Sequence, residues 1–118
     1  MEFIDLIKKS KELKQAYALL NRTEGSKAWG VNEYMQGFVG DVGDLAKLIM
    51  AKKGFRYSAK SDLDDKLAHE LADCLWSIIT IADELDIDLE EEFMKTVNQL
   101  QEKISDRNVI KAKRSKRI

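Results

Sequence analysis

Apolar residues recur along this chain at steps of three and four, and four segments keep that rhythm long enough to read as helices. In the first, from about Glu2 to Leu20, Phe3, Leu6, Ile7, Leu13, Tyr17 and Leu20 form a stripe with most lysines off it. That pattern predicts a surface helix packing one face. Asn21 to Ser26 breaks the rhythm with Gly25 and short polar residues and reads as a loop. The second segment, Val31 to about Lys52, is apolar over most of its circumference. Phe38, Val42, Leu45 and Ile49 lie on one line, and Met35, Val39, Ala46 and Met50 on another. Gly54 is its predicted stop, with Lys52 and Lys53 set against the negative end of the helix dipole. Phe55 to Lys60 is a polar, basic connection.

The third segment starts at Ser61-Asp62, either of which can cap free N–H groups, and runs to about Leu85. Leu67, Leu71, Leu75, Trp76, Ile78, Ile79, Ile81 and Ala82 make it apolar nearly all round, which predicts the middle of a bundle. One narrow polar stripe crosses it: Glu70, Asp73, Ser77, Thr80 and Glu84. Ile87-Asp88-Leu-Glu-Glu91 is a capping signal. The fourth segment carries Leu89, Phe93, Val97, Leu100 and Ile104 and is expected to end near Ser105 to Asn108. The reading is one all-α domain over residues 1–108 with a basic tail at 109–118. Such tails are ordinarily solvated ends.

Composition agrees with helices. There is no proline, six glycines, and the hydrophobic and charged fractions are 44% and 35%. A net charge of −1 argues against nucleic acid as the partner of the domain as a whole. The single cysteine, Cys74, excludes an intrachain disulfide framework and fits a reducing, cytoplasmic setting. No apolar run approaches the roughly 20 residues that span a bilayer. The first residues show no basic stretch ahead of an apolar one, so no leader is expected.

Against this background the acids stand out. Asp41 and Asp44 lie three residues apart on an apolar helix that also carries Gly37, Gly40 and Gly43. Each glycine costs roughly 1 kcal/mol of helix propensity and allows a helix or ligand to approach the backbone. Glu70 and Asp73 repeat the spacing on the third helix, where a bare carboxylate is costly unless paired or metal-bound. Either pair alone is the ordinary pattern of a solvated helix face. If the two helices pack together, four acids converge, and a hard divalent cation resolves their repulsion: Mg²⁺, or Mn²⁺. One cysteine and one histidine cannot build a usual zinc shell. His69 points about 100° away from Glu70 on a helix and reads as a surface or packing residue.

Val39-Gly-Asp41-Val-Gly-Asp44-Leu, then His69-Glu70-Leu-Ala-Asp73-Cys-Leu and Ile87-Asp88-Leu, resembles the MazG-like all-α nucleoside triphosphate pyrophosphohydrolases. The likeness spans about Trp29 to Ile104. The family motif places E-E-x-x-E on one helix and E-x-x-D on the next. Here Gly40, Asp41 and Asp44 occupy the first set, while Glu70 and Asp73 match unchanged. The Gly-acid-Val-Gly-acid-Leu form looks most like the dCTP pyrophosphatase branch.

The resemblance implies a four-helix bundle-like protomer that forms a homodimer or homotetramer. It implies hydrolysis of a nucleoside triphosphate to monophosphate and pyrophosphate, with Asp41, Asp44, Glu70 and Asp73 holding Mg²⁺. Lys52, Lys53, Arg56 and Lys60, between the motifs, are candidates for the phosphate tail. Trp29, Tyr34 and Trp76 are candidates for the base, with core packing the expected role of Trp76, and Asn98 for base or sugar. Aspartates at 41 and 44, each one methylene short of glutamate, leave open a relative that binds nucleotide and metal with weak turnover. The basic run Lys111 to Arg117 leaves open an interaction module.

Overall fold

The computed structural model describes residues 1–55 and 62–116, with side-chain detail to residue 108. Among the described residues there are four helices and no strands: α1 Phe3–Thr23, α2 Val31–Lys52, α3 Leu63–Glu84 and α4 Leu89–Lys116. The chain divides into two compact units, Met1–Ile87 and Asp88–Ile118. No helix among the described residues is long and apolar enough to cross a membrane.

In the first unit α2 packs along α3, and α1 packs on α3 through a smaller contact. Tyr34, Cys74, Ile79 and Ala82 are the buried apolar residues, and Ser77 and Thr80 are buried with them. This differs from the expectation for α3. Leu71, Leu75 and Ile78 are exposed, while part of the polar stripe points inward. The helix turns its Ser77 and Thr80 face to its neighbours and leaves an apolar face open.

Helix ends follow local chemistry. α2 closes where Gly54 adopts φ +83, a left-handed conformation that glycine takes without steric penalty. The Phe55 N–H then donates to the Met50 carbonyl at 2.9 Å. α1 runs to Thr23, past the predicted end at Leu20, because the matching turn is at Gly25, where the Ser26 N–H donates to the Asn21 carbonyl at 2.7 Å. Asn21 is therefore helical. α3 ends the same way on Asp86, a non-glycine residue at φ 54, with the Ile87 N–H bonded to the Ala82 carbonyl at 2.9 Å. The expected Asp62 cap is absent: its side chain makes no capping hydrogen bond and lies 3.4 Å from Lys66 Nζ. Ser61 is outside the described residues.

α1 is fastened to α3 by specific polar contacts. Lys14 Nζ lies 3.0 Å from Asp83 Oδ2 and 2.7 Å from Glu84 Oε1, and Trp76 Nε1–H donates to the Ser10 carbonyl at 3.3 Å. Burial alone would lower the Lys14 pKa, but hydrogen bonds to Glu84 and Asp83 outweigh it and the net shift is upward. The hydrogen bond from Lys14 holds the Asp83 carboxyl below its usual range. Glu84, the last member of the α3 polar stripe, is thus accounted for by a cation from α1.

In the second unit Asp88 Oδ1 accepts from the Glu91 N–H at 3.1 Å, the predicted cap, and Glu90, Glu91 and Glu92 suit the positive helix end. α4 continues to Lys116, through the expected boundary at 109. No glycine or proline interrupts it, and its last turns are rich in lysine, arginine and alanine, which are good helix formers.

Candidate metal centre

The α2–α3 packing brings acids from both helices to one place. One carboxylate oxygen from each of Asp41, Asp44 and Glu70 lies within 4.8 Å of the others. Spacing of three puts Asp41 and Asp44 on one face of α2, and Glu70 meets them from α3. Among the described residues none of these three makes an ion pair. Glu70 Oε2 is buried and has no hydrogen-bond partner among them. A buried carboxylate oxygen without a donor is costly, and a cation is the natural partner for it.

The electrostatics carry the same sign. Burial raises the Glu70 pKa, and the charges of Asp73, Asp41 and Asp44 add to the shift. Burial also raises Asp41, helped by Asp73 and Asp44, while the Ser77 hydroxyl on α3 and His69 pull the other way. Glu70 and Asp41 resist ionisation first because they are buried and then because neighbouring acids are charged. Cys74 lies behind them, and burial followed by these same charges pushes its thiol up. The side chains that gather here, Asp41, Asp44 and Glu70, offer oxygen donors. Three carboxylates with an unanswered oxygen fit Mg²⁺ or Mn²⁺.

Asp73 stands apart from the three. Its Oδ2 lies 3.2 Å from His69 Nε2, one turn back on α3. The sequence carried that signal in the spacing of four between His69 and Asp73, which places the two side by side.

One cavity opens on the acids, and another lies among aromatic residues. One, of about 520 Å³, is lined by Asp44, Lys47, Leu48, Asp62, Asp65, Lys66, His69 and Glu70. The other, of about 350 Å³, is lined by Tyr17, Asn21, Trp29, Tyr34 and Trp76. Its rings meet edge to face: Trp29 and Tyr34 have centroids 5.5 Å apart, Tyr34 and Trp76 6.0 Å. Trp29 also lies over Gly37, where a Cβ would stand 3.4 Å from the indole. Gly40 and Gly43 have nothing within 4 Å of an added Cβ among the described residues, so of the three α2 glycines Gly37 alone serves close approach there.

The other substrate candidates fall differently. Trp29 and Tyr34 line the aromatic cavity, and Trp76 both lines it and packs on Tyr17. Lys52 Nζ is engaged by Asp64 Oδ1 at 2.6 Å, and Lys53 caps α2. Arg56 and Lys60 lie outside the described residues. Asn98 is exposed on α4, in the second unit. Lys47, Lys66, His69 and Asn21 line the two cavities and were not singled out by the sequence pattern.

A family model described as the MazG nucleotide pyrophosphohydrolase domain matches residues 30–109. No curated protein and no solved structure matches the chain.

Proposed function

Because the chain belongs to the MazG nucleotide pyrophosphohydrolase domain family, we propose that it is a Mg²⁺-dependent hydrolase of nucleoside triphosphates. It would take one (d)NTP and one water to a monophosphate and pyrophosphate. The observation that carries this reading is the convergence of Asp41, Asp44 and Glu70 around an unpartnered Glu70 Oε2. These three residues would hold the metal, with Asp73, whose charge already reaches Asp41 and Glu70, as the fourth acid of the set. When bound, Mg²⁺ supplies charge neutralisation at the phosphate oxygens and lowers the pKa of a coordinated water. A carboxylate of the cluster accepts the proton of the attacking water. The edge-to-face aromatic cavity suits a planar base.

The Gly40-Asp41-Val42-Gly43-Asp44-Leu45 form supports a place near the dCTP pyrophosphatase branch. Exposed Leu71, Leu75 and Ile78 support a homo-oligomer, with a dimer as its minimal unit. A free, buried Cys74 supports a cytoplasmic setting.

The test is product analysis with a (d)NTP panel in Mg²⁺. Equimolar monophosphate and pyrophosphate, lost with chelator and reduced by orders of magnitude in Glu70→Gln, is the expected result. Orthophosphate and diphosphate as products would overturn it. Nucleotide binding without turnover would favour the second reading, a weakly catalytic relative, for which the shorter Asp41 and Asp44 are the motive.

A further inference from the structure

Asp73 is the acid of the α2–α3 group that stays outside the close cluster. One oxygen from each of Asp41, Asp44 and Glu70 lies within 4.8 Å of the others, and Asp73 is not among them. Its charge nevertheless acts on the cluster. After burial itself, Asp73 is the largest contribution that raises Glu70 and Asp41. Asp73 therefore stands at the rim of the three acids, near enough to be felt by two of them.

Beside Asp73 is His69. Its Nε2 lies 3.2 Å from Asp73 Oδ2, at the long end of the hydrogen-bond range. A step of four separates His69 from Asp73 on α3 and a step of three separates Glu70 from it, so Asp73 neighbours both. Asp73 makes no other ion pair among the described residues. His69 also lines the cavity of about 520 Å³ that holds Asp44 and Glu70. We propose that His69 is a positioning residue for the metal: its Nε2–H donates to Asp73 Oδ2 and fixes that carboxylate with Oδ1 free for the cation held by Asp41, Asp44 and Glu70. This rests on the metal reading above and adds to it a residue that acts through Asp73.

The chemistry of the pair suits this role. An ionised carboxylate has two acceptor oxygens, so Asp73 can answer His69 with one and keep the other. Its side chain is partly open to solvent and, without a neighbour, is free to turn away from the cluster. A donor held one turn back on the same helix removes that freedom before the metal arrives, and outer partners of this kind tune metal affinity about 10–100-fold. An imidazole can do so without a fixed charge. A lysine ammonium in its place would always oppose the incoming cation. The ordinary alternative is a surface pair at i, i+4 that steadies α3 alone. It predicts a change in melting temperature and none in metal affinity.

Metal binding to the nucleotide-free full chain tests this without reference to turnover. Calorimetry with Mn²⁺ and with Mg²⁺ would compare wild type, His69→Ala, His69→Gln, Asp73→Ala and the double variant His69→Ala/Asp73→Ala. Melting curves would establish that each is folded, as expected for changes at largely or partly open positions. His69→Ala should weaken both cations about tenfold. His69→Gln, whose amide N–H reaches about as far, should recover most of that loss. In the Asp73→Ala background, His69→Ala should change the affinity by less than about twofold, because the residue it acts through is gone. Wild-type affinity in His69→Ala would overturn the proposal. So would a loss in His69→Gln as large as in His69→Ala, or an equal loss with and without Asp73. Each of these leaves the metal reading standing. A folded wild type that binds neither cation removes the metal reading itself.

Discussion

His69 Nε2 lies 3.2 Å from Asp73 Oδ2, so the fourth acid of the α2–α3 cluster has a histidine beside it, one turn back on α3. His69 is largely open to solvent and Asp73 partly so, and a surface pair of this kind is worth about 0–1 kcal/mol. Against that small gain stands the repulsion that Asp73 exerts on Asp41 and Glu70. Asp73→Asn should therefore melt at the wild-type temperature or higher without metal. Its Mg²⁺-induced stabilisation, which arises from binding to the folded state, should shrink. A variant that melts lower without metal and keeps the full Mg²⁺ increment would show Asp73 to be structural.

The raised and lowered carboxyl groups give opposite pH signatures. Asp41 is raised, first by burial, so the folded chain binds its proton more tightly than the unfolded chain. That contribution is complete below the unfolded pKa and is lost as pH rises through the folded one. Metal-free Asp41→Asn should then melt above wild type at pH 7, and the advantage should vanish below about pH 4. Asp83 is lowered, first by its hydrogen bond from Lys14, so its contribution is present above the unfolded pKa and lost as pH falls through the folded one. Asp83→Asn should melt below wild type at pH 7, with the deficit closing on acidification. Parallel pH profiles for the two variants would contradict the assigned environments.

Asp86 holds φ 54 at the end of α3, a conformation that costs an L-residue free energy and glycine little. Asp86→Gly should stabilise the fold by about 1 kcal/mol, or raise Tm by about 4 °C. A β-branched residue such as valine at this position should lower it. Thermal melts of the two variants give the sign directly.

How much of this the sequence carries depends on the range of the interaction. The spans of α2 and α3, the Gly54 stop and the Asp88 cap follow from residues within one or two turns of each other. The acid cluster was legible because two pairs at spacing three fell on the two most apolar helices. Which face of α3 turns inward was not, since Leu71 and Leu75 look more buried in sequence than Ser77 and Thr80, and packing against α2 decides otherwise. Lys14 meets Asp83 across 69 positions, and no periodicity announces such a pair. The orientation of Asp73 toward His69 is a side-chain torsion that the spacing permits without selecting.

The exposed face of α3 leads to a prediction about assembly. Leu71, Leu75 and Ile78 of α3 are exposed, as are Val39 and Val42 of α2. Sedimentation at micromolar concentration should report at least twice the 13.5 kDa chain mass. A compact species of single-chain mass would contradict it.

Asp41, Asp44 and Glu70 are the residues proposed to hold the metal. A crystal grown with Mn²⁺ in place of Mg²⁺ tests this through anomalous difference density. The account predicts a peak bonded to Glu70 and to at least one of Asp41 and Asp44, at roughly 2.0–2.3 Å from their oxygens. Density confined to other acids, such as Asp62 and Asp65, with Glu70 left uncoordinated, would contradict it.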